Sequence, residues 1–128
     1  MSASIERLSI AEITNEYLNA WKEKNTDAIA ELIHPEVHFK GPMTEFEGKD
    51  QFLAACQRMF PMLREFRVRS IAALENQVIA IYDFVCIEPI GVCRTAELIT
   101  FDEDLIRDVE LFFDARPFEK FAQAKRSN

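Results

Sequence analysis

Glycine and cysteine are scarce in this chain of 128 residues, which contains three of each. A Gly-rich phosphate loop or a dinucleotide-binding fingerprint needs several glycines close together, and Gly41, Gly48 and Gly91 are too few and too far apart to build one. The cysteines are odd in number and form no C-x-x-C pair, which disfavours a disulfide framework and a zinc ribbon. We therefore expect reduced thiols, no metal site and no bound cofactor.

The chain also lacks a long apolar run and an excess of basic residues. Its longest apolar run, residues 78–82, is far shorter than the roughly 20 residues of a membrane helix. Glu6 and Arg7 interrupt the segment that would form a secretory leader. With 15 basic and 22 acidic residues the net charge is −7, which argues against nucleic acid and anionic membranes as partners. We expect a cytoplasmic protein with neither partner.

The composition that remains is that of an ordinary folded domain. Hydrophobic residues make up 48% and charged residues 29%, and phenylalanine dominates the aromatic side chains with eleven copies. A chain of this length has room for one hydrophobic core. We predict a single domain over residues 1–118 and a polar tail over residues 119–128 that is either a frayed helix or disordered.

Three N-terminal segments carry apolar residues at helical spacing. Ser9 and Glu12 have the spacing of a capping box, which predicts that the first helix begins near residue 10. A second helix is predicted from Asp27 through Ile33 and is ended by Pro35, because the residue before a proline is pushed out of the helical region. A third helix is predicted after residue 48, with an apolar stripe that consists of Phe52, Cys56, Met59, Phe60 and Leu63.

From residue 65 onward the apolar residues recur at every second position, which is the period of a strand. Strands are predicted over residues 66–74, 78–87, 92–101 and 105–113, and the short turns between them predict antiparallel neighbours. Three helices followed by this meander predict an α+β fold with the helices on one face of the sheet. Long antiparallel strands coil, so we expect a strongly curved sheet that forms a cone around an internal apolar pocket.

The alternation of side chains along a strand predicts which residues face that pocket. Glu97 should point inward, towards Tyr17 on the apolar stripe of the first helix, while Asp83 should point outward. Burial among apolar side chains raises the pKa of a carboxylate, so Glu97 is expected to be neutral and to donate a hydrogen bond. Tyr17 and Glu97 are the candidate catalytic residues. The candidate ligand-binding residues are Trp21, Phe39, Phe52, Cys56, Met59, Phe60, Tyr82, Phe84, Thr95, Val109, Leu111 and Phe113.

Four segments of the chain carry a family resemblance: YLNAW at residues 17–21, DAIAELI at 27–33, VHFKGP at 37–42 and LIRDVELFFD at 105–114. Together with the predicted order of helices and strands, they resemble the nuclear transport factor 2-like (NTF2-like) superfamily over roughly residues 8–118. Within that superfamily the chain is similar to the ketosteroid isomerase and SnoaL-like polyketide cyclase branches. The resemblance implies that residues 1–118 form a SnoaL-like domain.

The same resemblance implies roles for individual residues. Tyr17 falls where ketosteroid isomerases have the tyrosine of their oxyanion hole, and Glu97 falls where they have its protonated carboxylic acid. Gly41 falls at the position of their catalytic base, and Leu111 falls where limonene epoxide hydrolases have an acid. The resemblance therefore implies a cofactor-independent isomerase, cyclase or lyase in which two hydrogen-bond donors stabilise an enolate or a phenolate, with no general base identified.

Two other functions fit the same sequence. The pocket could bind an apolar small molecule without changing it. Alternatively, the domain could be a structural one that dimerises or docks another chain, because Ile79, Ile81 and Phe112 are expected among charged residues on the outer sheet face. We expect an apolar small molecule and a second copy of this chain as partners.

The candidate catalytic residues also have purely structural interpretations. Tyr17 could be a core residue whose hydroxyl bonds a backbone carbonyl. Glu97 could lie on the outer sheet face, solvated or paired with Arg94 or Arg107. The functional interpretation therefore depends on whether Tyr17 and Glu97 meet inside the cone.

The sequence gives less support for a functional role of the two histidines and of the glutamates near residue 45. His34 and His38 lie four residues apart, but Pro35 prevents the helix that would align their imidazoles, so a solvated turn is predicted and not a metal site. Glu45 and Glu47 lie on the loop predicted before the third helix and are the remaining carboxylates that could reach the mouth of the pocket.

Overall fold

The computed structural model describes residues 9–127, without the side chain of residue 127. In chain order its helices and strands are α1 (Ile10–Lys22), α2 (Thr26–Ala30), β1 (Ile33–Lys40), β2 (Glu45–Glu47), α3 (Lys49–Met59), a 3₁₀ turn (Phe60–Met62), β3 (Leu63–Leu74), β4 (Gln77–Cys86), β5 (Val92–Asp102), β6 (Leu105–Phe112) and α4 (Arg116–Ser127). Residues 1–8, where the secretory leader was considered, lie outside the described part. None of the helices within residues 9–127 is both long and apolar enough to cross a membrane.

The capping box predicted at the start of α1 is present. The backbone N–H of Glu12 donates to Ser9 Oγ at 3.1 Å, and the backbone N–H of Ser9 donates to Glu12 Oε1 at 2.8 Å. The second helix ends at Ala30, so the prediction that it reaches residue 33 is wrong. The carbonyl of Leu32 instead accepts the N–H of Ile106 from β6 at 2.9 Å, and this bond draws the chain into β1.

The six strands form one curved sheet in the order β2–β1–β6–β5–β4–β3. Neighbouring strands are antiparallel except β1 and β6, which run parallel. The long strands β3 to β6 agree with the predicted meander, whereas β2 lies in a segment predicted as a loop. The register shifts in β3 between Val68 and Ser70, and bulges of this kind increase the coiling of long strands.

The helices cover one face of this sheet, and the hydrophobic core lies between the two layers. Helix α1 packs against β3 and β4, while α3 packs against β1 and β2. Val78, Ile99 and Val109 lie side by side across β4, β5 and β6 and are fully buried. This row holds the register of the sheet, because a slip of one residue would turn all three side chains to solvent.

The C-terminal segment forms α4, a packed helix that includes residues 119–127 of the predicted polar tail. The boundary predicted at residue 118 falls inside this helix. Phe118 is buried and meets the ring of Phe113 edge-on, with 5.5 Å between centroids, and Phe121 also packs against the core. At the start of the helix the backbone N–H of Arg116 donates to Asp114 Oδ1 at 3.0 Å. Two phenylalanines three positions apart thus anchor a segment whose composition is otherwise polar.

Candidate functional site

Glu97 is buried on the inner face of β5, where its carboxylate accepts hydrogen bonds from two tyrosines. Tyr17 of α1 donates its hydroxyl to Oε2 at 3.0 Å, and Tyr82 of β4 donates to Oε1 at 2.6 Å. All three side chains are at most 4% exposed. Glu97 therefore points inward and meets Tyr17, in the register that alternation predicts, and Asp83 of β4 points outward towards Arg94.

Burial controls the ionisation of this group of side chains. It raises the pKa of Glu97 from 4.5 to about 7, although the hydrogen bonds from Tyr82 and Tyr17 lower that pKa because they favour the ionised carboxylate. Burial, reinforced by the nearby carboxylate, raises the pKa of Tyr17 and of Tyr82 well above 10. Near neutral pH both tyrosines keep their protons, while Glu97 exists in its neutral and ionised forms together.

A cavity of about 440 Å³ lies beside this carboxylate, between the inner sheet face and helices α1, α3 and α4. All of the predicted site residues line it except Phe60 and Val109. Phe60 begins the 3₁₀ turn after α3 and packs edge-on against Trp21, with 5.2 Å between ring centroids. Val109 is fully buried in the apolar row of the sheet, opposite Ile99. Phe60 and Val109 thus lie behind the cavity wall, and the ligand-binding role of the site residues stays a prediction.

Several lining residues come from segments that the sequence prediction left out of the site. Phe46 comes from β2, Phe66 from the start of β3, and Phe118 and Phe121 from α4. The spacing of three between Phe118 and Phe121 is a helical signal that could have placed both on one face. Phe46 gave no comparable signal, because β2 has only three residues.

Aromatic rings in mutual contact form the walls of the cavity. Trp21 meets the ring of Phe84 edge-on at 5.9 Å between centroids, and Phe66 stacks on Tyr82 at 4.5 Å. Aromatic pairs in these geometries hold one another in place, because their edges and faces attract. The cavity is therefore a largely apolar chamber with the Glu97 carboxylate in its wall.

Among the residues 9–127 that line the cavity, Glu97 alone carries a carboxylate. Gly41 lines it too, at the position where the resemblance places a catalytic base, but it has no side chain to offer. Glu45, the candidate base at the mouth, instead contacts His38 Nε2 at 2.7 Å, and His38 Nδ1 contacts Asp108 at 3.2 Å. The contact with Glu45 is the main reason that the pKa of His38 is raised. This cluster lies apart from the cavity lining.

His34, which was predicted to lie in a solvated turn, lies in β1 and makes ordered contacts. Arg107 Nη1 lies 3.2 Å from His34 Nδ1 and donates to Glu36 at 3.1 Å. His34 Nδ1 also accepts the backbone N–H of Glu36 at 2.9 Å. Within the described part of the chain, no three or more histidine, cysteine or acidic side chains are grouped so as to hold a metal ion.

A family model described as a SnoaL-like domain matches residues 14–109. The chain belongs to the SnoaL-like domain family. None of the curated proteins matches it. The predicted superfamily is therefore confirmed, and residues 14–109 contain the tyrosines and the glutamate of the site.

Solved structures show the fold of this SnoaL-like domain over most of its length. An NTF2-like protein of unknown function from Cytophaga hutchinsonii ATCC 33406 has a TM-score of 0.80 and 20% identity, over 89% of this chain and 97% of that one. A protein from Kribbella flavida DSM 17836 has a TM-score of 0.83 and 21% identity, over 92% and 97%. A proposed ketosteroid isomerase from the same organism has a TM-score of 0.75 and 13% identity, over 82% and 77%. These similarities confirm the predicted conical α+β fold.

Proposed function

We propose that this SnoaL-like domain is an enzyme of isomerase, cyclase or lyase type, which holds an apolar small molecule in the cavity and transfers a proton through Glu97. The observation that carries the proposal is the Glu97 carboxylate, buried between two tyrosine hydroxyls in the wall of an aromatic cavity. Glu97 acts in this proposal as both acid and base, because it carries the one carboxylate among the described residues that line the cavity.

The ionisation of Glu97 suits this role. A general acid or base is most effective when its pKa lies near the working pH, and burial raises the pKa of Glu97 to about 7. The ionised carboxylate can accept the proton of an acidic C–H bond of the bound molecule, whose bonding electrons move onto neighbouring atoms. The protonated form can then return that proton to a different atom of the molecule or to its leaving group.

The two tyrosines stabilise the ionised state in this scheme. Their hydrogen bonds offset part of the cost of burying a charge, and their own high pKa values keep them protonated throughout. An oxyanion role for Tyr17, as the resemblance implies, requires its hydroxyl to turn from Glu97 towards the ligand. That rotation is compatible with a protonated Glu97, which then needs fewer donors.

A screen for turnover tests the proposal. Compounds that raise the melting temperature of the protein are incubated with it and analysed by mass spectrometry. Wild type should yield an altered compound, and Glu97→Gln should lower the rate by about 10²- to 10⁴-fold, the usual contribution of a general acid or base. Glu31→Gln, at an exposed carboxylate outside the cavity lining, is the control and should keep the wild-type rate.

A second function is a binding protein without catalysis, favoured by the presence of one carboxylate rather than two in the described cavity lining. Many acid–base enzymes use a pair of groups, one to remove and one to return the proton. If every stabilising compound is recovered unchanged across the pH range, this second function holds and the enzymatic one is rejected.

We also propose that the domain forms a homodimer through the outer sheet face. Ile81, Ala96 and Phe112 lie side by side there across β4, β5 and β6, with Ile79 next to them. Ile79 and Phe112 are about half exposed. Apolar side chains exposed together on a sheet mark an interaction surface, and two-fold symmetry lets one patch bind its own copy.

Sedimentation analysis tests the dimer. Phe112→Lys should convert a dimer to a monomer, because it replaces the most exposed aromatic ring of the patch with a charge. Leu74→Lys is the matched control, since Leu74 is 74% exposed at the end of β3 and lies outside the patch. A wild-type protein that sediments as a monomer at high concentration rejects the dimer proposal.

We further propose that the protein is cytoplasmic. Its three free thiols support this location, because disulfides are rare in that compartment.

A further inference from the structure

The hydroxyl groups on the inner cavity wall, those of Tyr17, Tyr82 and Thr95, donate their protons within the protein, whereas the remaining lining hydroxyl, on Thr44, belongs to an exposed residue. Tyr17 and Tyr82 donate to Glu97, and Thr95 Oγ1 donates to the carbonyl of Cys93 at 3.3 Å. Each hydroxyl has a single proton and two lone pairs, so what remains available to a ligand is acceptor capacity. The indole of Trp21, another donor in the lining, lies close enough to the Tyr17 hydroxyl to lower its pKa.

The carboxylate in this wall has no positive partner in the described part of the chain. Its hydrogen bonds come from the two tyrosines, and no salt bridge reaches it. The titratable groups that face Glu97 are Tyr17 from α1, Cys56 from α3 and Tyr82 from β4, and none of them carries positive charge in either protonation state. A buried charge without a counter-charge is costly, so a cationic ligand group would relieve that cost.

The rest of the chamber suits the same ligand. The faces of aromatic rings attract cations, and Trp21, Phe66 and Phe84 lie together in the lining with Tyr82. Arg58, the arginine among the described lining residues, is exposed to solvent and leaves the interior without a fixed cation. The cavity of about 440 Å³ has the size of a small-molecule site.

We infer that the ligand is an organic amine: a protonated amine whose N–H donates to the Glu97 carboxylate while its hydrocarbon or aromatic body lies against the aromatic wall. This inference rests on the proposed function and names the chemical class of its ligand. It differs from what the ketosteroid isomerase resemblance implies, because a carbonyl oxygen needs donors, whereas the ionised Glu97 and the tyrosine hydroxyls bound to it present acceptors.

The pH dependence of binding separates the two ligand classes. An ammonium group binds the ionised form of Glu97, whose fraction rises about tenfold between pH 6 and pH 8 for a pKa near 7. A ketone binds the protonated form, whose fraction falls over the same range. Tyr17, Tyr82 and Cys56 keep their protons throughout, because burial raises the pKa of each. The sign of the change therefore reports which form of Glu97 holds the ligand.

The experiment compares three probes that share one skeleton: 2-aminoindane, 2-indanone and indane. Calorimetric titration at pH 6 and pH 8 should show that the amine binds most tightly, and that its affinity increases about tenfold towards pH 8. At pH 7 its binding should release about half a proton, measured in buffers of different ionisation enthalpy. Glu97→Gln should weaken amine binding at least tenfold and leave indane binding unchanged, while Glu31→Gln, at an exposed carboxylate outside the cavity lining, should bind all three probes like wild type.

Several outcomes overturn the inference. If 2-indanone binds more tightly than 2-aminoindane, or if amine affinity falls with rising pH, the ligand class is wrong and the small-molecule site of the proposed function stands. If Glu97→Gln, shown to be folded by its melting temperature, binds the amine like wild type, the anchoring role is wrong. If none of the three probes binds, the inference and the small-molecule site are both rejected.

Discussion

Tyr82 reaches Glu97 along a diagonal of the sheet. In the β4–β5 pairing Tyr82 lies opposite Thr95, and Glu97 lies opposite Ala80. Diagonal neighbours on one face of an antiparallel pair are about 7–8 Å apart, which a tyrosine can span, and the hydrogen bond of 2.6 Å closes that distance. The sheet by itself therefore holds one of the two hydrogen bonds to the carboxylate, and α1 supplies the other.

Removal of this bond should change the acidity of Glu97. Tyr82→Phe should raise the pKa of Glu97 above its wild-type value of about 7, because the lost hydrogen bond favours the ionised form. Tyr17→Phe should act in the same direction with a smaller effect. The titration of the glutamate carboxyl carbon, followed by NMR in labelled protein, measures both pKa values. A pKa that stays constant or falls in Tyr82→Phe contradicts the assignment.

Stability should decrease as the pH rises through the neutral range. The pKa of Glu97 is raised from 4.5 to about 7, so the folded state binds this proton more tightly than the unfolded state does. The resulting stabilisation, about 3 kcal/mol at most, is fully present below pH 4.5 and is lost as the pH rises to 7 and above.

Glu97→Gln isolates that effect, because glutamine does not titrate. The free energy of unfolding of wild type, from urea denaturation at pH 5 and pH 8, should fall more steeply than that of the variant. His38 also loses stabilisation as the pH rises, since the contact with Glu45 raises its pKa, but it does so equally in both proteins. Equal slopes in the two proteins would contradict the raised pKa of Glu97.

The C-terminal helix should contribute to the stability of the protein. Phe118→Ala removes a ring that is buried against Phe113 and lines the cavity, so it should lower the free energy of unfolding by about 3 kcal/mol. Leu74→Ala, at an exposed leucine, should change it by about 0.5 kcal/mol or less. Urea denaturation compares the two variants. Equal effects would show that α4 does not pack as described.

The three thiols should react slowly in the native protein. Burial raises the pKa of Cys56 and Cys93 and raises that of Cys86 to about 12, so the reactive thiolate is rare at pH 8. Alkylation by iodoacetamide, followed by mass spectrometry, should label them at least tenfold faster in urea than in buffer. A bound amine should slow the labelling of Cys56 further, because Cys56 lines the cavity. Rapid native labelling of Cys56 would contradict its burial.

The parts of the site that depend on local pattern could be predicted from the sequence. The helical stripe placed Tyr17 inside, and alternation on one strand placed Glu97 inside. The bond from Tyr82 could not be predicted, because it depends on the pairing of two strands and a shift of one residue would abolish it. The second helix was predicted too long for a similar reason: the carbonyl of Leu32 bonds to Ile106, which is remote in the chain.

The contribution of α4 was missed because composition hides it. Lysine, arginine and glutamine surround Phe118 and Phe121, and the average polarity of the segment indicates a solvated tail. Two aromatic side chains on one helical face are nevertheless enough to dock a short helix when the rest of the fold forms an apolar groove that accepts them. That groove is formed by residues remote in the sequence, so it exists only in the folded protein and could not be predicted from the local pattern.

Gly41 leaves room for engineering in the cavity wall beside Phe39 and Leu111. A methyl group added at its Cα would meet the Phe39 ring at 3.4 Å and Leu111 at 3.8 Å, ordinary contact distances, and its backbone does not require glycine. A short acidic side chain installed at this one position would equip the chamber with a proton-abstracting partner for Glu97 while the scaffold stays as it is.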